Sequence, residues 1–456
     1  MAMFDLIVLG GGPAGYLGAE RAAHAGLKTC VIEKRALGGV CLNEGCIPSK
    51  ALLNSAKIYE HAKEGVKYGV SASDVKLDQK AVVARRGKVV KTLVAGVGAK
   101  MKAAGVTVVK EEGVISGRAD GGYKVTAGGQ EYTATKLLIA TGSSALVPPI
   151  PGVRENIGGF VLTNREVLEL PEIPKNFVII GGGVIGLEMA AYYCVAGAHV
   201  TVVEMLDHIA GPTDREISTM LQKEYAKKGV DFKLNTKVVA VEPGKVVCEA
   251  EGKTIEIPAD KVLLSIGRRA NTANIGLETI GVDLNRGVIV VDEQCRTNVE
   301  GVYAAGDCIG GIMLAHTAYR EAEVAVNAMI GKRDKMRYHA NPSVIYTHPE
   351  VASCGLTEEE AAQKGLEVEV KKLSMRYSGR FIAENEGEDG ICKILVDKKH
   401  RNVVGVHMLG NSGSEAIWGA AALIESEMRV KDVKEIIFPH PTVSEMIREV
   451  IWEFKD

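Results

Sequence analysis

Several absences narrow the field before any motif is read. No apolar run reaches about 18 residues, so no membrane span is expected. Charge of neither sign dominates: 55 Lys and Arg against 57 Asp and Glu leave a net charge of -2. No global field therefore draws the chain to nucleic acid or an anionic membrane, although a local basic patch is still allowed. Cysteine is sparse and odd in number, nine in 456 residues. That is no secreted disulfide framework and suits a reducing, cytoplasmic compartment, where a specially spaced pair is catalytic or metal-binding rather than structural. The apolar start lacks a basic leader and runs straight into Gly10-Gly11-Gly12. It reads as a buried strand rather than a signal, and with a strand starting at Phe4 no transit peptide is expected unless one was removed. The length exceeds one core and points to roughly three domains.

What is abundant is glycine, 52 residues clustered in short runs after apolar segments. Two of these runs form an internal repeat. The strand Phe4 to Leu9 leads into Gly10-x-Gly12-x-x-Gly15, and the strand Phe177 to Ile180 into Gly181-x-Gly183-x-x-Gly186. Each opens a helical pattern, Tyr16 to Ala25 and Leu187 to Ala196, that ends near Gly26 or Gly197. Each is followed by an apolar strand closing on an acid, Glu33 or Glu204. The first glycines and the acids share one offset of 171 residues. The first glycine permits the tight turn, the second lets backbone approach a pyrophosphate, and the third lets helix and strand pack closely. The helix N-terminus then faces phosphate and the acid accepts from a ribose. Two βαβ dinucleotide-binding units follow. Glu204 favours NAD over NADP, because a carboxylate repels a 2′-phosphate and no arginine occurs from Met205 to Ile209.

Leu137 to Ala140 is a buried strand ending at Thr141-Gly142, and Val262 to Ile266 ends similarly at Gly267. Pro148 to Gly152 reads as a linker. The expected organisation is a first dinucleotide-binding domain at 1–146 and a second at 147–268. A central segment at 269–338 follows, and 339–456 forms an α+β domain without a glycine-rich loop.

Between the repeats lie Cys41 and Cys46, five positions apart. On an ideal helix their Cα atoms would be about 8 to 9 Å apart, beyond the roughly 4.4 to 6.8 Å that a disulfide spans. A bond therefore needs a distorted turn, which Gly45 permits and Pro48 favours by removing a helical donor. A strained bond is readily reduced, which fits catalysis better than stapling. Two buried thiols, or half of a metal site, are the alternatives. No second cysteine pair or nearby histidine completes a metal site, so no metal is expected. Lys50, four residues after Cys46, can share its helix face and stabilise a thiolate. A thiol pair also needs a base. Of ten histidines, His440 is best placed, between Pro439 and Pro441 and with Glu445 able to orient the imidazole. His348 in Thr347-His348-Pro349-Glu350 looks similar but has only the adjacent acid, and it is read as structural.

Together these motifs resemble the pyridine nucleotide-disulfide oxidoreductase family, from Phe4 to about Phe454 and in family order. Thr297-x-x-x-Gly301 to Asp307 is similar to the family's second FAD motif, and Leu314-Ala315-His316 to the segment beneath the flavin. The resemblance implies an α/β fold with two Rossmann-like domains, for FAD and NAD, and a C-terminal α+β dimerisation domain. FAD would be held by Gly10, Gly12, Gly15, Glu33, Lys50, Thr141, Gly142, Ala315 and, at its ribitol, Asp307. NAD would be held by Gly181, Gly183, Gly186, Glu188, Glu204 and Gly267, with Glu188 also pairing Lys50 beside the flavin.

The Cys41 to Lys50 stretch is most similar to members that oxidise protein-bound dihydrolipoyl groups. The implied chemistry reduces a Cys41–Cys46 disulfide, with Cys41 as interchange thiol, His440 as base and Glu445 as its holder. Electrons pass through Cys46 and FAD to NAD. A homodimer is implied, with His440 serving the other subunit's disulfide. The lipoyl group would come from a lipoyl domain of a 2-oxo acid dehydrogenase complex or from a glycine-cleavage carrier. Val40 stands where the family often has threonine, keeping the shape and losing the hydroxyl. Among rivals, a transhydrogenase is opposed by the cysteine pair and a mercuric reductase by a tail without cysteines. A glutathione-type reductase is opposed by Glu204, and a non-enzymatic flavin scaffold by the complete cysteine, lysine, histidine and glutamate set.

Overall fold

A computed structural model describes residues 2–455. They form two compact units, each assembled from three stretches of chain. The first comprises the chain up to Ala51, Ala84–Leu146 and Gly267–Arg337; the second comprises Leu52–Val83, Val147–Ile266 and the chain from Tyr338 onward.

The first unit is built on a seven-stranded sheet. Ala2–Leu9 lies at its centre, parallel to Thr29–Ile32 on one side and Gln130–Ile139 on the other. Thr107–Val109 and Val302–Ala304 extend the parallel part, and Gly122–Ala127 and Gly113–Ala119 add an antiparallel edge. From Leu6 to Leu9 the central strand is continuously apolar because both its faces are covered. Leu6 and Val8 point into a core with helix α1 (Pro13–His24) and helix α7 (Ala315–Met329). Ile7 and Leu9 point into the opposite core with Ile115, Leu137 and Ile139. This is the period-two alternation of a strand buried on both sides. Strand order reverses at Ala2–Leu9, so the carboxyl ends there form a crevice of the kind that takes ligands in α/β sheets.

Helices α2 (Gly39–Glu44), α3 (Cys46–Glu64) and α4 (Gln79–Ala103) follow α1 in sequence. The second unit repeats the pattern of the first. Asp231–Lys233, His199–Val203, Asn176–Ile180, Lys261–Leu264 and Val161–Leu162 form a parallel sheet in that order. Helix α5 (Val184–Val195) follows the second glycine motif, and helix α6 (Arg215–Lys227) follows the strand that ends before Glu204. On α5, Tyr192 and Tyr193 are fully buried, and their hydroxyls donate to Gln79 Oε1 at 2.5 Å and to the Val167 carbonyl at 2.6 Å. The same unit carries a C-terminal five-stranded antiparallel sheet with Ile391–Asp397 and Val403–Leu409 near its middle. Helices Gly413–Glu425 and Glu445–Trp452 pack against that sheet. The fold is thus α/β with two Rossmann-like units and a C-terminal α+β part. Among the described residues, no helix is long and apolar enough to cross a membrane.

Candidate active site

The two glycine motifs have the same local geometry. Gly10 and Gly181 have φ of +102° and +103°, a region that disfavours side chains. A Cβ on Gly10 would lie 2.3 Å from the Ala140 carbonyl oxygen, and one on Gly181 2.6 Å from that of Ser265. Gly15 and Gly186 are held even closer, with a Cβ 1.9 and 2.2 Å from the carbonyl oxygens of Gly10 and Gly181. The middle glycines differ. A Cβ on Gly183 would meet no described atom within 4 Å, and one on Gly12 only the Gly39 Cα at 3.8 Å. The middle positions therefore face room for a ligand, whereas the outer ones are set by packing. Both N-cap residues are glycine and offer no side chain to the first helical N–H groups. Those donors stay available to an anion.

The acids repeat as well. Glu33 accepts from the Gly11 and Arg35 N–H groups, each at 2.7 Å. Glu204 accepts from Gly182 N–H at 2.7 Å and Leu206 N–H at 2.9 Å. Each carboxylate is aimed back at its glycine loop and keeps lone pairs for a ribose hydroxyl. The residues at both sites fit a dinucleotide.

The cysteine segment is joined to the first of these loops. Gly38 N–H donates to the Gly11 carbonyl at 2.7 Å, and a Cβ on Gly39 would lie 2.6 Å from the Gly12 Cα. Helix α2 carries Cys41 and stops at Glu44, Gly45 leaves helical geometry (φ -148°, ψ -110°), and α3 restarts at Cys46. A Cβ on Gly45 would crowd the Val40 carbonyl oxygen at 3.1 Å. The break at Gly45 replaces the regular i to i+5 separation, and the Cys41 and Cys46 thiols are in hydrogen-bond contact. Pro48 sits in the first turn of α3, where a missing N–H costs no intrahelical bond. Cys41 is half-buried and Cys46 exposed. The hydrogen bond to Cys46 and then burial raise the Cys41 thiol well above its ordinary range, while Lys50 acts in the opposite sense. Two negative charges on the pair are therefore strongly disfavoured.

Asp307 follows Gly306, whose φ is +79°. Its carboxylate accepts from Ser143 Oγ, and Arg268 Nε lies 3.7 Å away. Arg268 also donates to Ser143 Oγ at 2.6 Å and to the Ser143 carbonyl at 2.8 Å. Thr141 donates to the Asn271 carbonyl at 2.7 Å, and Gly142 and Gly267 have φ of +68° and +124°. Ala315 opens α7, and the buried Glu321 one and a half turns on accepts from Gly306 N–H at 2.7 Å. Glu188, buried on α5, accepts from Tyr346 N–H at 3.1 Å.

In the second unit, His440 Nδ1 lies 2.9 Å from Glu445 Oε1, and Thr442 N–H donates to Glu445 Oε2 at 2.7 Å. A carboxylate can only accept, so Nδ1 carries the proton in the neutral ring and Nε2 is left as an acceptor. Burial raises the Glu445 carboxyl, but the Thr442 N–H and His440 outweigh it and hold it below the usual range. The imidazole is 78% exposed. The structure thus joins Cys41 to Cys46, His440 to Glu445, and each acid to its glycine loop; the cysteines and His440 belong to different units. His348 is bound up in contacts with Asn411 at 2.8 Å and Glu388 at 3.4 Å.

Sequence reasoning missed Ser143, Arg268 and Glu321 around Asp307, although the first two directly follow Gly142 and Gly267. It also missed Tyr16 and Tyr319, whose hydroxyls are 2.5 Å apart and whose rings meet edge-on at 5.9 Å. Burial first, with the Cys41 and Cys46 charges contributing, raises both phenols.

Comparison with known proteins matches residues 4–322 to the pyridine nucleotide-disulphide oxidoreductase family and residues 341–451 to its dimerisation domain. A mitochondrial dihydrolipoyl dehydrogenase of Pisum sativum is 40% identical, with 98% of this chain and 90% of that protein covered. One from Bacillus subtilis is 38% identical, over 98% and 97%. Among solved structures, the Cu(II) complex of the HOCl-induced flavoprotein disulfide reductase RclA from Escherichia coli has a TM-score of 0.87 at 25% identity, covering 99% of this chain and 100% of that one. This chain belongs to the pyridine nucleotide-disulphide oxidoreductase family.

Proposed function

We propose that the protein is a dihydrolipoyl dehydrogenase, an enzyme that oxidises a protein-borne dihydrolipoyl dithiol and reduces NAD+. The single observation that carries this reading is the thiol pair held against the Gly10 to Gly15 loop by the break at Gly45. The overall change is dithiol plus NAD+ to disulfide, NADH and one proton. FAD, when bound, supplies the path for the electron pair between the thiols and the nicotinamide.

The chain's own residues do the rest. The substrate thiolate attacks Cys41 of the Cys41–Cys46 disulfide, forming a mixed disulfide and releasing Cys46 as thiolate. The start of α3 and Lys50 favour negative charge on Cys46. The second substrate thiol loses its proton to Nε2 of His440, held by Glu445, and displaces Cys41. In this proposal His440 comes from the second subunit of a homodimer; the matched dimerisation domain supports that arrangement. Gly10, Gly12, Gly15, Glu33, Thr141, Gly142, Lys50, Asp307 and Ala315 would hold FAD. Gly181, Gly183, Gly186, Glu188, Glu204 and Gly267 would hold NAD. The domain reading retains 1–146 for FAD, 147–268 for NAD, 269–338 completing the FAD site and 339–456 for dimerisation. The partner is a lipoyl-bearing carrier of a 2-oxo acid dehydrogenase or glycine-cleavage system. The buried thiols Cys30, Cys295 and Cys308 suit a reducing, cytoplasmic setting.

The test is NAD-dependent oxidation of free dihydrolipoamide by the wild type and by Cys41→Ser. Turnover should vanish in the variant while FAD stays bound and NADH still reduces an artificial dye. Near-normal dihydrolipoamide oxidation by Cys41→Ser would overturn the disulfide mechanism.

A further inference from the structure

We infer that the outer face of α4 is the docking surface for an acidic face of the carrier protein that brings the dithiol; the inference rests on the dithiol-oxidising reading above. From Gln79 to Lys110 the chain has eight basic residues and no Asp or Glu, although acids number 57 in 456 overall. Such a run in a chain of net charge -2 is the local basic patch that overall composition conceals.

Helix geometry gathers part of this charge on one face. Val97 and Met101 are buried in the first unit's core, with Val94 packed beside them. On the opposite face Lys88, Lys91, Ala95, Ala99 and Lys102 are all exposed. Their separations of three, four, four and three residues follow the helical repeat, so they form one stripe. From Lys88 to Lys102 it spans about 21 Å. No ion pair joins Lys88, Lys91 or Lys102 to a described residue. In the same unit, Lys34 is neutralised by Glu112 at 2.8 Å and Lys124 by Glu131 at 3.2 Å.

The stripe is also fixed to the redox segment. Arg85 donates to the Ala51 carbonyl at 3.1 Å and Arg86 to the Asn43 carbonyl at 3.4 Å. Asn43 lies between the two cysteines and Ala51 follows Lys50, so a partner seated on α4 is held in a defined relation to Cys41. Charge complementarity selects an acidic partner. Two copies of this face set against each other would oppose like charges, which argues against self-association through it. Outside this run the chain carries 47 Lys and Arg against 57 Asp and Glu, a net charge of -10, which repels an extended polyanion and favours a compact acidic face.

The experiment uses the holoenzyme, a recombinant lipoyl domain of net negative charge in its dihydrolipoyl form, and free dihydrolipoamide. For the domain, kcat/KM should fall several-fold as salt rises from about 50 to about 200 mM, and should stay flat for free dihydrolipoamide. The double variant Lys88→Glu with Lys91→Glu should lower kcat/KM for the domain roughly tenfold and flatten its salt dependence. Free-substrate and dye turnover should be unchanged, and Lys88→Arg with Lys91→Arg should behave as wild type. Unchanged kcat/KM for the domain in the charge-reversed variant would overturn the assignment. So would wild-type binding to anionic vesicles or duplex DNA that is tighter than to the domain and is lost in that variant. Anisotropy of a labelled lipoyl domain measures docking without turnover. Failure of the wild type to oxidise free dihydrolipoamide would thus defeat the functional reading alone, while domain binding still judges the face.

Discussion

At the scale of single residues, the proposed chemistry depends on where protons and charges are held. His440 presents an acceptor Nε2 because Glu445 occupies Nδ1, and Glu445 in turn is fixed by Thr442 N–H. His440→Gln keeps a polar side chain but loses the base. Dihydrolipoamide turnover should fall by roughly 10²-fold or more, the usual scale of general acid-base catalysis. Dye reduction by NADH bypasses the thiols and should survive; equal loss of both activities would point to misfolding. Glu204 sets a second expectation. Both its oxygens already accept backbone N–H bonds from Gly182 and Leu206, which fixes a negative charge beside the second glycine loop. A 2′-phosphate there would meet that charge, and Met205, 66% exposed next to it, offers none in compensation. The wild type should prefer NAD by a factor on the order of 10² in kcat/KM. Glu204→Ala with Met205→Arg should narrow the gap and leave dye reduction with NADH in place. Equal use of both cofactors by the wild type would remove Glu204 as the discriminator.

At the scale of elements, the βαβ units depend on backbone proximity more than on side-chain chemistry. Gly186 touches the Gly181 carbonyl so closely that a methyl group has no space, and Ser265 Oγ lies 2.8 Å from the same point. Gly186→Ala must push α5 off its strand. It should destabilise the fold by the 1–3 kcal/mol typical of overpacking, about that order, and weaken NAD binding. Gly183→Ala meets nothing within 4 Å in the protein. It should leave thermal stability nearly unchanged while raising the KM for NAD, so calorimetry and kinetics on the pair separate packing from ligand approach. These elements were legible in the sequence because φ above zero and close approach both demand glycine, and because the pattern recurs at 171 residues. Even the helix ends repeat, at Gly26 with φ +90° and Gly197 with φ +104°. The break at Gly45 was legible for the same reason. Contacts between distant positions were not. Ser143 meets Asp307 and Tyr16 meets Tyr319 across 164 and 303 residues, and no periodicity or local motif encodes such a meeting. Nor does composition shift at Leu52 or Val83, between which the chain joins the second unit.

At the scale of the whole molecule, the second unit unites a nucleotide-binding sheet with the C-terminal sheet, and a buried charge cluster lies where they meet. Lys393, on the inner strand Ile391–Asp397, is 4% exposed and pairs with Asp214 at 2.9 Å and with Glu358; Glu216 lies at 3.5 Å. Asp214 is the N-cap of α6 and accepts from Glu216 and Ile217 N–H groups. His407 on the adjacent strand is buried, its Nε2 2.8 Å from the Leu356 carbonyl, so Nε2 donates and Nδ1 is the deprotonated nitrogen. Breaking a buried pair is costly because it strands the remaining charge. Both titratable partners make this junction sensitive to acid. Burial is the main reason the His407 imidazole titrates below its ordinary value. The unfolded chain thus binds more protons than the fold as pH drops below about 6.5, and stability falls from there downward. For Asp214, burial raises the carboxyl, but the Lys393 hydrogen bond and charge outweigh it and depress it. That contribution is present above about pH 4 and is lost as pH falls further. Chemical denaturation from about pH 7.5 down to about pH 2.5, read as unfolding free energy, should therefore show a decline beginning near about 6.5 in the wild type. In His407→Gln, which retains a donor for Leu356 and cannot take a proton, that first decline should shrink to the share of His61, whose imidazole burial also lowers, while the second, below about pH 4, persists. An identical pH profile in wild type and His407→Gln would place the acid sensitivity elsewhere in the molecule.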